Sequence, residues 1–326
     1  MKKLFILSVM CFFLFTAINV FGAEFTLKVG SIESVGGVQN RAMDWVISEV
    51  EKRSDGMLKI DYYPANQLGS TNEQFDGLMT GTIDLFLVGG NCMESMGEEY
   101  MIDAIPFVFR NKEHRLAYQS SELNKERQEN LLKNRGVRVI ADNWYYQPHV
   151  LLSTKPISKP EDLKGFKMRV PEARGQFIGW KAIGTNPATV PWGEVYLALK
   201  QGVVDGVSSN FEAIKETRFA EVAPYIIMLE TEFGYDIVLM NDKSYQKLPV
   251  NLRDILVETL KEGGNKYSEL SDQEADAVRS YIKENDYMKV IDVDDELFRV
   301  KLTGLPEELE KQGLIKKEVF DKVENL

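Results

Sequence analysis

Apolar positions along this chain fall into short runs that switch between two periodicities. Thr26 to Val29, Lys59 to Tyr63, Val137 to Ala141 and Lys167 to Val170 read as strands. Ile83 to Val88 is almost continuously apolar, the pattern of a strand covered on both faces. Between these runs the spacing becomes helical. Ala42, Met43, Val46, Ile47 and Val50 lie on one face within Arg41 to Val50. Ser70 and Glu73 form a capping box ahead of Phe75, Leu78 and Met79, and Gly81 ends that helix. Ser158 and Glu161 repeat the signature with Pro160 in the first turn, and Glu194 to Lys200 is helical. Strands alternating with helices predict an α/β fold with sheets wound by crossovers.

From Asn251 to Glu284 the pattern changes. Leu252, Ile255, Leu256, Leu260, Tyr267 and Leu270 mark one long, charged helix, weakened only at Gly263 and Gly264. A helix of about 30 residues is long for one compact lobe, and it predicts a tie running across two. No internal repeat and no Pro/Gly/Ser-rich linker divides the chain. Two lobes without a linker imply that the chain crosses between them several times.

The N-terminus adds a location. Lys2 and Lys3 precede an apolar run from Leu4 to Phe15, followed by smaller residues ending Val20-Phe21-Gly22-Ala23. That order describes a secretory signal peptide over residues 1–23, with cleavage expected after Ala23 or Gly22. The apolar stretch is short for a membrane anchor, and Asn19 interrupts it. Bulky Met10 before Cys11 argues against a lipid anchor. Loss of Lys2 and Lys3 leaves 37 basic against 50 acidic residues, moving the net charge from -11 to -13. Such a surface repels nucleic acid and anionic lipid, so an anionic ligand would need a local cationic pocket. Only Cys92 would survive cleavage, so no internal disulfide is expected, and a small buried residue is its plainest role.

Catalytic sets are missing. His114, His149 and Cys92 have no metal-ligand spacing. No serine elbow, phosphate-cradling loop or dinucleotide fingerprint occurs. A binding protein without catalysis or cofactor is therefore expected, with a sensor module of the same fold as a further reading.

Two segments are sharper than the rest: KPEDLKGFKMRVP from Lys159 to Pro171, and NPATVPWGEVYLALKQGVVDG from Asn186 to Gly206. With Tyr63 to Gly69, Ala104 to Phe109 and Phe219 to Val222 in the same order, the mature chain resembles the DctP-type solute-binding proteins of TRAP transporters. The resemblance implies a two-lobe periplasmic binding protein of type II-like architecture, with a long helix spanning both lobes. It places 24–146 plus 235–274 in one lobe and 147–234 plus 275–326 in the other. It implies a monomer in the periplasm that takes a small organic acid to TRAP membrane permease subunits. A sugar acid such as a uronate or aldonate is favoured, and a C4-dicarboxylate or keto acid is the alternative.

The resemblance also implies a site. The arginine of the family's K-M-R-V-P motif, here Arg169, pairs with a ligand carboxylate through its two-pronged fork. Trp192 stands where the family places an aromatic wall. His149 stands where many relatives have a second arginine, exchanging a fixed charge for a group that titrates near neutrality. Ser209 and Asn210 occupy the place of a ligand-bonding asparagine. Gly89, Gly90 and Asn91 follow a strand end, where ligands of open α/β sheets lie. Gly89 and Cys92 stand where the sialic-acid branch has an acid and an arginine, which argues against that ligand. Glu33, Gln39, Tyr235 and Asp236 are candidate hydroxyl-binding groups.

Overall fold

The computed structural model describes residues 25–326, so the signal segment lies outside the described residues. The alternating runs become eleven strands: β1 (Phe25–Ser31), β2 (Leu58–Tyr63), β3 (Leu85–Gly89), β4 (Val137–Tyr145), β5 (His149–Ser153), β6 (Lys167–Val170), β7 (Asn186–Thr189), β8 (Gly206–Ser209), β9 (Tyr225–Glu232), β10 (Tyr235–Asn241) and β11 (Lys289–Asp292). They form two sheets, one in the order β2-β1-β3-β10-β4 and the other in the order β11-β9-β5-β8-β6-β7. In the first, β1 runs parallel to β2 and β3, and β10 runs antiparallel to β3 and β4. In the second, β6 runs parallel to β7 and β8, while β5 is antiparallel to β8 and β9. Each sheet is the centre of one lobe.

Local sequence explains most boundaries. Ser70 accepts from the backbone of Glu73, whose carboxylate accepts from Ser70 N at 2.7 Å, so the box starts helix Thr71–Thr80. Gly81 closes that helix in the left-handed conformation, φ 80°. The second expected box is corrected. Residues Pro160–Leu163 form a short 3-10 turn, and Asp162, not Glu161, accepts from Ser158 N at 2.9 Å and from Lys159 N at 3.2 Å. The box is shifted one residue along the chain, with Lys159 before the first turn and Asp162 at its third position.

The long helix runs Val250–Asn285 without interruption. Leu252, Leu256, Leu260 and Tyr267 join the core of the first lobe, with Val46 and Trp144. Ala275, Val278 and Ile282 join the core of the second, with Phe211 and Ile226. The helix therefore spans both lobes. Among the described residues, no helix is long and apolar enough to cross a membrane.

Gly263 and Gly264 do not weaken this helix; they let it lie against β4. A Cβ on Gly264 would sit 2.6 Å from Asn143 Oδ1 and 2.7 Å from Trp144 Cδ1. Trp144 cannot give way easily, because it is fully buried and donates Nε1–H to Leu260 O at 3.0 Å. Gly264→Ala should therefore lower the urea midpoint. Overpacking costs about 1–3 kcal/mol, against a gain of about 1 kcal/mol in helix propensity. A raised midpoint would show that Trp144 yields.

The lobes are joined where β4 leads to β5 and where β9 returns to β10. These crossings touch: a Cβ on Gly234 would lie 2.0 Å from Tyr146 Oη, so glycine is needed there for the tyrosine to pass. The cleft between the sheets opens beside this pair of crossings.

Candidate ligand-binding cleft

The cleft encloses a cavity of about 360 Å³, in the range of small-molecule sites. Its mouth is bridged by bonds from one lobe to the other. Val38 N donates to Glu216 Oε1 at 2.9 Å, and Gly175 N to Glu94 Oε2 at 2.9 Å. Arg174 pairs with Glu94 and Glu98, both at 3.2 Å.

Arg169 sits on β6, and its side chain reaches the cavity from the second lobe. It is only 7% exposed, and its Nε donates to Val190 O at 2.9 Å. That bond fixes the fork. No carboxylate pairs with its Nη atoms among the described residues, although a buried cation costs several kcal/mol unless paired. Burial lowers its pKa to about 10, so it stays charged at neutral pH. Trp192 lies beside it, with the guanidinium carbon 5.3 Å from the ring centroid. Phe219 meets the same indole edge-on at 5.6 Å and sets its tilt.

His149 opens β5 and stacks on Tyr146 at 5.1 Å. Burial, and then the Arg169 charge, push it down to about 3. The expectation of a group titrating near neutrality is thus corrected: His149 is a neutral imidazole here. Behind it lies Glu232, which sequence reasoning passed over. Its carboxyl accepts from Gln176 Nε2 at 3.1 Å, Tyr146 Oη at 3.3 Å and Asn91 Nδ2 at 3.4 Å. Burial pushes it up to about 7.

Ser209 Oγ is buried without a partner among the described residues and lines the cavity. Asn210 uses Oδ1 to cap helix Phe211–Glu216 through Ala213 N, at 3.1 Å, which leaves its amide donors for other work. On the first lobe, Gln39 Nε2 donates to Asp236 Oδ2 at 2.7 Å, while its Oε1 accepts from Ser31 Oγ and Tyr62 Oη. Burial raises Asp236 to about 6. Glu33 is raised to about 8 by burial first, then by Asp236 and Glu216, against contrary pulls from Trp192 and Arg169.

Arg169, Trp192, His149, Ser209, Asn210, Asn91, Gly89, Glu33, Gln39 and Asp236 thus all face the cavity. Gly90 and Tyr235 do not, and those two expectations are corrected. Tyr235 is 1% exposed in the first lobe's core, with Arg115 stacked 4.2 Å from its ring. A Cβ on Gly90 would meet that ring at 2.4 Å, so Gly90 serves the tyrosine. Strand alternation explains the error: Tyr235 and Asp236 are neighbours on β10 and must point to opposite faces. Also missed were Tyr146, Gln176, Glu212 and Glu216, all of which line the cavity. Glu212 and Glu216 carried a signal, since residues four apart on the helix capped by Asn210 share one face. Gln176 and Glu232 carried none, since neither falls within a motif.

Comparison with known proteins gives the site a context. Residues 30–304 match the DctP family, bacterial extracellular solute-binding protein family 7. The chain belongs to that family. A DctP relative is the sialic acid-binding periplasmic protein SiaP of Vibrio cholerae, 27% identical over 289 residues, which is 88% of this chain and 89% of SiaP. A TRAP periplasmic solute-binding protein from Fusobacterium nucleatum, with bound sn-glycerol-3-phosphate, has a TM-score of 0.85 at 22% identity, covering 92% of this chain and 96% of that one. The sugar acid binding protein DctPAm from Advenella mimigardefordensis, in complex with galactonate, has a TM-score of 0.83 at 22% identity, covering 91% and 96%. At these identities the solved structures speak for the two-lobe DctP fold.

Proposed function

We propose that this chain is the periplasmic solute-binding subunit of a TRAP transporter. It captures a small organic acid, with uronates and aldonates the favoured class, and hands it to membrane permease subunits. One observation carries the reading: Arg169 is a buried fork, charged at neutral pH, in an enclosed cavity, with no carboxylate paired to its Nη atoms among the described residues. A ligand carboxylate supplies the missing partner in two parallel hydrogen bonds. Trp192 offers a flat apolar wall beside that contact, and Ser209, Asn210 and Asn91 offer polar groups for hydroxyls. The galactonate bound by DctPAm has this chemistry, a carboxylate followed by a hydroxylated chain. In this reading 24–146 plus 235–274 and 147–234 plus 275–326 are the two bodies that close on the ligand.

The site is built to bind rather than to react. Burial pushes the Cys92 thiol up to about 12, so it carries no thiolate at neutral pH. His149, held down near 3, is a weak base. A thermal-shift screen over sugar acids, dicarboxylates, keto acids, neutral sugars and amines tests the proposal. An acid at 100 times its dissociation constant should stabilise the protein by about 2.7 kcal/mol. A response to neutral sugars or simple amines, with every acid silent, would overturn it.

A further inference from the structure

Arg169 is the one cationic side chain among the described residues lining the cavity, yet six acidic residues line it as well, and four of them, Glu33, Glu212, Glu216 and Asp236, form a wall. Glu33 follows β1, Asp236 lies on β10, and Glu212 and Glu216 lie on helix Phe211–Glu216. None of the four has a Lys, Arg or His nitrogen within 4.0 Å among the described residues. They act on one another: Asp236 and Glu216 disfavour the charge on Glu33, while Glu216 and Asp236 disfavour that on Glu212. The wall is also incompletely bonded. Glu212 Oε1 accepts from Ser271 Oγ, but Oε2 has no partner among the described residues although Glu212 is only 3% exposed.

Such a wall has a definite preference among ligand ends. A second carboxylate would add one more like charge to a crowded set. A hydroxyl brings a single donor and leaves the repulsion in place. An ammonium brings three donors and the opposite charge, so it satisfies the open acceptor and relieves the repulsion together. We propose that the acid anchored by Arg169 also bears an amino group, and that its ammonium seats among Glu33, Glu212, Glu216 and Asp236, making the ligand a zwitterionic amino acid of the amino-sugar-acid kind. The inference rests on Arg169 as the carboxylate anchor.

The pH dependence follows from the same groups. Burial raises Glu33 to about 8, Glu212 to about 7 and Asp236 to about 6, and it raises Glu216 as well. The other titratable or charged groups around the wall include Tyr267 from the long helix, Tyr62 from β2, Arg169 from β6 and Glu232 from β9, and Cys92, His149, Glu172 and Glu194 line the same cavity. Arg41, Lys215 and Glu274 stand beside Glu216 on its outer side. A protonated carboxyl cannot hold an ammonium by charge. Affinity for an amino-bearing acid should therefore rise from pH 6 to pH 8 as the wall ionises, while the amine stays protonated.

Calorimetry with D-gluconate, its 2-amino and 6-amino analogues and succinate, at pH 6 and pH 8, tests this. The expected result is an amino analogue that binds roughly tenfold more tightly than gluconate at pH 8. That ratio should shrink at pH 6, and Glu33→Gln should shrink it further at pH 8. Amino analogues no tighter than gluconate, with gluconate or succinate bound, would overturn this inference and leave the Arg169 anchor standing. Silence from all four acids would overturn this inference as well, while the broader thermal-shift screen decides the Arg169 anchor.

Discussion

Arg169→Ala should bind its acid roughly thirty-fold to several thousand-fold more weakly than the parent protein. That span corresponds to the 2–5 kcal/mol typical of removing one half of a buried, hydrogen-bonded charge pair. The other half, the ligand carboxylate, would be enclosed with Glu33 and Asp236 and no cation to offset them. Arg169→Lys should recover little. A lysine keeps a charge but cannot form two parallel bonds, cannot donate to Val190 O in the same geometry, and sheds its proton more readily when buried. Isothermal calorimetry reads both variants, and wild-type affinity in the alanine variant would end the anchor assignment. A thermal scan without ligand supplies the control for folding. The alanine variant should melt no lower than the parent, because it loses a buried cation that has no carboxylate partner among the described residues. Weak binding with intact stability separates an anchor from a structural arginine.

The largest expected effect on stability lies elsewhere, at Asp103. This residue is fully enclosed in the first lobe and holds two buried arginines, Arg115 at 2.6 Å and Arg127 on its other oxygen. Aromatic faces cover the cations: Phe109 and Tyr235 lie 4.2 Å from Arg115, and Tyr100 lies 4.4 Å from Arg127. Asp103→Asn keeps the shape and removes the charge. Two guanidinium groups would then be buried with no carboxylate among the described residues, held by ring faces and by the Arg127 Nε bond to Asn124 Oδ1, which should cost about 3–5 kcal/mol. Urea unfolding should show this as a lower midpoint with an unchanged slope. A change below about 1 kcal/mol would mean that the aromatic rings already carry the cations.

The fold was largely legible because its signals are local. A continuous apolar run such as Ile83 to Val88 can be read without knowing what covers it, and Ser70 with Glu73 states a helix start within four residues. The long helix was legible for the same reason, and its glycine pair was misjudged for the opposite one. Gly263 and Gly264 look like flaws until Trp144 and Asn143, more than a hundred residues away, are seen against them. The site divides in the same way. Arg169 and Trp192 came from motifs that resemble a family, not from any local physical signal. The acid wall was invisible as a unit, since Glu33, Glu212, Glu216 and Asp236 are assembled only by folding. Tyr235 and Asp236 are neighbours on β10, and strand alternation places the two on opposite faces. His149 was read from the ordinary acidity of imidazole, which burial and Arg169 together override.

The long helix has a consequence for how such proteins diversify. Neither lobe is encoded as one continuous stretch, and residues of Val250–Asn285 are shared between both cores. Exchanging a whole lobe between two genes would cut through that helix and leave two half-cores that do not match. New ligand preferences on this scaffold are therefore expected to arise one side chain at a time along the cleft rather than by shuffling lobes.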